Sequence, residues 1–346
     1  IEIVAALISG GKYLTSDELK KRDDFVNTYL EKCLNRELNQ DSFEIWSTFC
    51  WWLPTLVDVR RCKPLLERFG NINELFDINR DTVAHQASRI LMYRNILAGI
   101  GFRYPDMTEL LTHIKFDYPH DQIREAIAKL FCTITQNECT PSLPNPETLM
   151  EREMNTDEGK GLGLPMKWVS SRLDKIIKEQ FADIEAEHEK LKDLTPQQIL
   201  KSRYFYLSST IFYWIEEMTS GPNKIIIIPY VAKYILPFLM RLLLQKDVCK
   251  LAGLDITTLF LAIAYIPSRN DGINDVLNLI CDPNCFNEAP SSYQLKLQIA
   301  FVQHYLSSQL LQLTDAQKEK ISDFIISNIY NEQYVEVRDR AADVLS

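Results

Sequence analysis

Two short stretches hold the residue types that phosphate binding or metal binding would need. Gly159-Lys-Gly-Leu-Gly163 has closely spaced glycines, as a phosphate-cradling loop does. It lacks the Gly-Lys-Ser/Thr order that sets a lysine and a hydroxyl on phosphate and magnesium, and no apolar strand precedes it. It reads as part of a flexible insertion. Cys281-Asp-Pro-Asn-Cys285 comes near a metal-ligand spacing. No second Cys/His pair follows, and the nearest histidine is His304, so it reads as a loop with two incidental thiols. The histidines are His85, His113, His120, His188 and His304. None stands in a His-Glu-x-x-His pattern, and His85 sits among apolar neighbours as a packed core residue would. Neither a Gly-x-Ser-x-Gly elbow nor a kinase signature occurs. The expectation is a non-enzyme, with no catalytic residue, no cofactor and no metal site.

The remaining conspicuous clusters read as structure. Trp46, Trp51 and Trp52 are dense, but only Arg60, Arg61 and Lys63 follow them. Stacking on nucleic acid would want basic residues interleaved with the aromatics, so core packing between helices is expected. Asp183-Ile-Glu-Ala-Glu-His-Glu-Lys-Leu-Lys-Asp193 mixes both signs of charge and reads as a solvated helix face. Its pairs would be Glu187 with Lys190 and Glu189 with Lys192.

Composition limits the rest. The chain has 346 residues, 46% of them hydrophobic, with 16 Phe, 15 Tyr and 5 Trp, which excludes disorder for most of its length. Only 11 glycines appear, which favours helices over Gly-rich strand folds. A net charge of −9 argues against direct nucleic-acid binding. The 8 cysteines are scattered and are expected to be reduced thiols. The most apolar run, from Ile225 to Leu244, contains Pro229, Lys233, Pro237 and Arg241. It reads as a buried helix and not as a membrane span.

Most of the chain reads as helices joined by short polar turns. Ile1 to Ile8 looks helical. Ser16-Asp-Glu-Leu-Lys would begin a capped helix with Phe25, Tyr29 and Leu30 on one side. Asp41 to Leu53 continues the pattern until Pro54 disrupts it, and Asn79 to Leu91 forms an interior helix. Thr195-Pro-Gln-Gln opens another with Pro at its first position. Thr314-Asp-Ala-Gln starts the helix that pairs with the terminal one. The main interruption is Thr140–Pro165, an acidic insertion with Pro141, Pro144, Pro146 and a Gly-spaced end. Insertions of this length tend to contact something outside the fold. Shorter breaks fall at Thr219–Lys224 and Cys281–Ser292. The expected organisation is one continuous unit over 1–346, with a first block of helices at 1–139, the insertion at 140–165 and a second block at 166–346.

A repeated pattern names the architecture. Ile123-Arg-Glu-Ala-Ile-Ala-Lys-Leu-Phe131 aligns with Val337-Arg-Asp-Arg-Ala-Ala-Asp-Val-Leu345. Each has a β-branched residue, an arginine and an acid, then apolar residues at the i+4, i+7 and i+8 positions of one helical face. The copies lie about five periods of ~43 residues apart, which suits HEAT or armadillo repeats. The expected fold is all-α: a HEAT/armadillo-like α-solenoid, a right-handed superhelical stack of helix pairs. In it Ile123 and Val337 pack inward. Arg124 and Arg338, beside Glu125 and Asp339, bridge neighbouring repeats. Such stacks offer extended binding surfaces and no built-in active site.

Four segments resemble one family. Ile1-Glu-Ile-Val-Ala-Ala-Leu-Ile-Ser-Gly-Gly-Lys12, Asp41-Ser-Phe-Glu-Ile-Trp46, Gln122 to Ala128 with Ser142-Leu-Pro-Asn145, and Glu336 to Ser346 are similar, in that order, to segments of the large HEAT-repeat proteasome activators. These are the two-hundred-kilodalton activator of animals and the bleomycin-sensitivity activator of fungi, and the fungal branch is the nearer. The resemblance spans nearly the whole chain and implies a fragment of the C-terminal half. It implies a dome that caps the α-ring of the 20S core particle and helps open its gate without ATP or ubiquitin. It further implies acetylated or unfolded protein substrates, inositol phosphates as ligands, no membrane, work in the nucleus and cytoplasm, and a part in DNA repair. The family's gate-opening tail is not among these residues, and no residue here is assigned to its acetyl-lysine pocket. A HEAT-repeat transport receptor is the rival reading.

Overall fold

The computed structural model describes residues 1–10, 13–34, 40–77, 82–101, 110, 113–138, 171–220, 234–242, 245–256, 259, 280–281, 291–309 and 313–345. The insertion 140–165, the glycines of 159–163, Cys139, Cys285, residues 79–81 and 225–233, and the side chains of Cys33 and His304 lie outside the described residues. Every regular element among the described residues is helical, and the chain is an all-α, HEAT-like stack of helices. The helices are α1 (Glu2–Gly10), α2 (Ser16–Leu34), α3 (Gln40–Leu56), α4 (Lys63–Phe69), α5 (Ile72–Leu75), α6 (Val83–Ile100) and α7 (Asp121–Glu138). They continue as α8 (Ser171–His188), α9 (Pro196–Ile199), α10 (Arg203–Ser220), α11 (Lys246–Ala252), α12 (Ser292–Gln309), α13 (Asp315–Ile329) and α14 (Val335–Leu345). Residues 234–242 are also helical.

One sequence device starts several of them. At Thr15–Glu18, Thr195–Gln198, Ser291–Gln294 and Thr314–Gln317 a hydroxyl accepts from the backbone N–H three residues on. The Glu or Gln there accepts the hydroxyl residue's own N–H in return. This reciprocal box satisfies donors that a helix N-terminus leaves open. It moves the cap of α2 from the expected Ser16 to Thr15. Hydrogen bonds from the Thr15 backbone and hydroxyl hold the Glu18 carboxyl below its ordinary range.

The chain divides into two compact units. One takes Ile1–Pro146, Trp168–Gln180 and Arg203–Trp214; the other takes Glu147–Lys167, Phe181–Ser202 and Ile215–Ser346. In the first unit α6 packs between α3 and α7. With a neighbour on each side it buries residues all round, including Ile90, Met92, Tyr93, Ile96 and Leu97. Gly99 allows the close approach to α3, because a Cβ there would stand 2.2 Å from the Trp51 carbonyl oxygen. Asn95 Nδ2 donates to the Ser47 carbonyl across the same seam. The helix ends at Gly101, whose φ of 71° is the left-handed cap that suits glycine.

In the second unit Phe181 stacks on Tyr234 and meets the edge of Phe238. The described part of the Ile225–Leu244 run buries Ile235, Leu236, Phe238, Leu239, Met240 and Leu242, as a helix between neighbours should. No described helix is long and apolar enough to cross a membrane. α13 and α14 pack together, as the Thr314 start implied, and α14 also packs on α12. Both expected pairs on the charged run form, Lys190 with Glu187 and Lys192 with Glu189.

Three expectations need correction. The buried stripe of α2 is Arg22, Val26 and Leu30, while Phe25 is 55% exposed. One residue of error rotates a helical face by about 100°. Pro54 does not stop α3, which runs on to Leu56. The proline removes the donor that would reach the Cys50 carbonyl, but its ring is buried against α6, and that burial offsets the loss. Of the three tryptophans only Trp46 is core; Trp51 and Trp52 are about half exposed.

The α3–α6 seam makes a direct prediction. Gly99→Ala should destabilise the folded chain by about 1–3 kcal/mol, because its methyl meets backbone oxygen that cannot rotate away. Gly10→Ala should be harmless, since nothing lies within 4 Å of a Cβ there. Denaturant unfolding of the two variants is the check.

Candidate functional site

The first copy of the repeat pattern lies at a polar junction of the first unit. Ile123 is fully buried on α7, with Ile127, Leu130 and Phe131 beside it. Arg124 is only 3% exposed, and both terminal nitrogens of its guanidinium find acceptors while the buried Nε has none. Its Nη1 donates to the carbonyls of Tyr118 and Pro119, both at 2.9 Å. Its Nη2 donates to Asp121 Oδ1 at 2.7 Å. The guanidinium also lies 5.5 Å from the Phe205 ring centre and 5.2 Å from that of Tyr206, both on α10. Glu125 points outward and pairs with Lys129.

Around it, three more contacts join residues 116–121 to α10, and an aromatic column runs between them through α7. Thr210 Oγ1 donates to the Phe116 carbonyl at 2.7 Å. Arg203 pairs with Asp117, and Tyr213 donates its hydroxyl to Asp121 Oδ1. Phe116, Phe131 and Trp214 form an aromatic column with centroids 4.9 and 5.0 Å apart. Each such pair contributes about 0.5–1.5 kcal/mol beyond its buried area. Burial, then the nearby Asp121 carboxylate, pushes the Tyr213 hydroxyl up from its ordinary pKa. The phenol stays protonated and serves as a donor.

The second copy behaves differently. Val337 is fully buried and Ala341 matches Ile127 inward. Arg338 is partly exposed, and its side chain has no hydrogen bond or ion pair among the described residues. Asp339 is exposed. Arg124 thus ties the turn at 118–119 to α7 and stands over rings of α10, and Arg338 has no such contact among the described residues. The link between α12 and α14 is Lys296 with Glu336 instead, and that lysine holds the Glu336 carboxyl below its ordinary range. Sequence reading missed Glu74, whose Oε2 accepts from both Arg68 and Arg89 at 2.9 and 3.2 Å. The three residues are far apart in sequence, so no spacing could have flagged them.

Among the described residues the candidate chemistry of the sequence is not brought together. His85 is buried on α6, His113 and His120 are exposed, and His188 ends α8, so they lie on separate elements. Among the described residues no group of three His, Cys, Asp or Glu is placed to hold a metal. Cys50, Cys62, Cys132, Cys249 and Cys281 are buried and in no disulfide. Burial pushes Cys62 up to about 11 and Cys249 and Cys281 up to about 12, and it pushes Cys50 higher still. A nucleophile needs the thiolate, so these are packing residues.

No family model matches this sequence. A whole-chain relative does. The chain is 48% identical over all 346 residues to the proteasome activator BLM10 of Saccharomyces cerevisiae. The chain belongs to that activator's family. It spans 16% of the relative's length, so it corresponds to one segment of a much longer activator-family protein.

Two predictions follow from the junction and the thiols. Arg124→Ala should cost on the order of 3 kcal/mol, because a charged donor to buried carbonyls is lost. Arg338→Ala should stay within about 0.5 kcal/mol; equal losses in chemical denaturation would refute the difference between the two copies. The buried thiols favour folding below pH 9, the ordinary cysteine value, where both states keep the proton. As pH rises from 9 towards 12, only the unfolded thiols ionise, so stability should fall across that window. The same thiols should resist alkylation until the chain unfolds.

Proposed function

We propose that this chain is a non-catalytic wall segment of an activator that docks on the proteasome. The observation that carries the reading is the 48% identity along the entire chain to a proteasome activator. Helix packing supports it: the polar network at Arg124 ties helices together and presents no reactive group. In this reading the parent protein caps the α-ring of the 20S core particle and helps open its gate without ATP or ubiquitin. Its substrates are acetylated or unfolded proteins, inositol phosphates are candidate ligands, and its work in DNA repair is shared between nucleus and cytoplasm. This segment contributes rigidity, holding loops at a set height above the core.

The test uses the full-length parent and purified 20S core. Native electrophoresis should show the two co-migrating, and peptide hydrolysis by the core should rise when the parent is added. A parent that neither co-migrates nor stimulates would overturn the proposal. Arg124→Ala in the parent should lower stimulation in step with its loss of thermal stability.

A further inference from the structure

The loop that enters α9 stands clear of the second unit's core. Residues 192–198 form the longest unbroken exposed stretch among the described residues. Within it Thr195 precedes Pro196. The Thr195 backbone is extended, with φ −70° and ψ 156°, the region to which a following proline restricts a residue. An exposed, extended threonine followed by proline is the substrate pattern of a proline-directed protein kinase. Such a kinase takes a short extended segment into its cleft. The pocket beyond the acceptor hydroxyl is apolar, so a residue without an N–H leaves no donor unpaired there.

Local structure separates this hydroxyl from the others that start helices. Thr195 Oγ1 accepts from the Gln198 N–H at 3.4 Å and donates to Gln198 Oε1 at 3.0 Å. Thr15 and Thr314 make the same box, but Ser16 and Asp315 follow them in place of proline. Those two open helices of 19 and 15 residues, which would have to unwind to enter a cleft. Helix α9 has only 4 residues, and a helix that short holds little stability of its own. Of its residues only Ile199 is buried. Thr140 and Pro141 form a second threonine–proline pair, which lies outside the described residues.

We propose that Thr195 is a phosphorylation site for a proline-directed serine/threonine kinase. The kinase's base takes the hydroxyl proton and Thr195 Oγ1 attacks the γ-phosphorus of ATP. The bond from that phosphorus to the β,γ-bridging oxygen breaks, and ADP leaves. The product adds roughly two negative charges to the loop at neutral pH. It also removes the proton that reached Gln198 Oε1, so the start of α9 must be re-formed around the phosphate. The inference rests on this loop and not on proteasome binding.

The test incubates the full-length parent, native and heat-denatured, with ATP and a purified proline-directed kinase, and maps phosphate by residue with tandem mass spectrometry. The expected result is phosphate on Thr195 of the native parent. It should be retained in Thr195→Ser and lost in Thr195→Asn and Pro196→Ala. Asparagine keeps a helix-capping acceptor, so its loss of phosphate reports chemistry and not unfolding. Modification of Thr195 only after denaturation would show that the rest of the parent covers the loop, and would overturn the proposal. No modification in either state would show that the pair is not a kinase substrate, with the same consequence. Unchanged incorporation in Pro196→Ala would remove the proline-directed class and overturn it as well. No arm contains the core particle, so failure here leaves the proteasome reading standing, and failure there leaves this one.

Discussion

A helix in this chain is stable only if its flanks are covered by other helices. Isolated helices of this length are marginal in water, and most of their stability comes from packing an apolar face. Helix α6 shows the constraint satisfied, with α3 and α7 on its two sides and a glycine where α3 comes closest. The junction at Arg124 shows how the polar cost of such packing is met. A turn that ends against a helix would bury the carbonyls of Tyr118 and Pro119 unpaired. A single guanidinium closes both, and the faces of Phe205 and Tyr206 receive its plane. Arginine suits this position because its planar fork can donate in several directions while lying flat on aromatic rings.

The same constraint governs the described thiols and polar side chains. Cysteines enter the core as small apolar residues, where burial suppresses the thiolate. The tyrosine at the junction is held protonated and used as a donor. The carboxylates that matter, Glu74 and Asp121, each accept from two residues. Side chains arranged this way hold position.

Much of the fold was legible in the sequence, because its signals are local. Threonine or serine followed three residues later by Glu or Gln marked helix starts, and a cap is a contact within one turn. The charged pairs at 187–192 were readable for the same reason. The repeated pattern at 123–131 and 337–345 located the inward positions at Ile123 and Val337. The misreadings were of a different kind. Phe25 and Val26 are adjacent and both apolar, and only the packing partner decides which one is covered. Pro54 looked like a stop because its cost is local, while the burial that offsets it is not. Trp51 and Trp52 looked like core because size and hydropathy say nothing about which side of a helix has a neighbour.

By itself, then, the sequence determined the helical class, the helix starts at Thr195 and Thr314 and the family, all of which rest on short-range spacing or on order along the chain. Tertiary structure alone decided that Arg124 is buried among carbonyls and rings while Arg338 has no such partner among the described residues, although both stand in the same local pattern. The reason is that a buried guanidinium needs carbonyls and ring faces supplied from elsewhere in the chain. The turn at 118–119 and helix α10 supply them at one copy, and no described residue does so at the other.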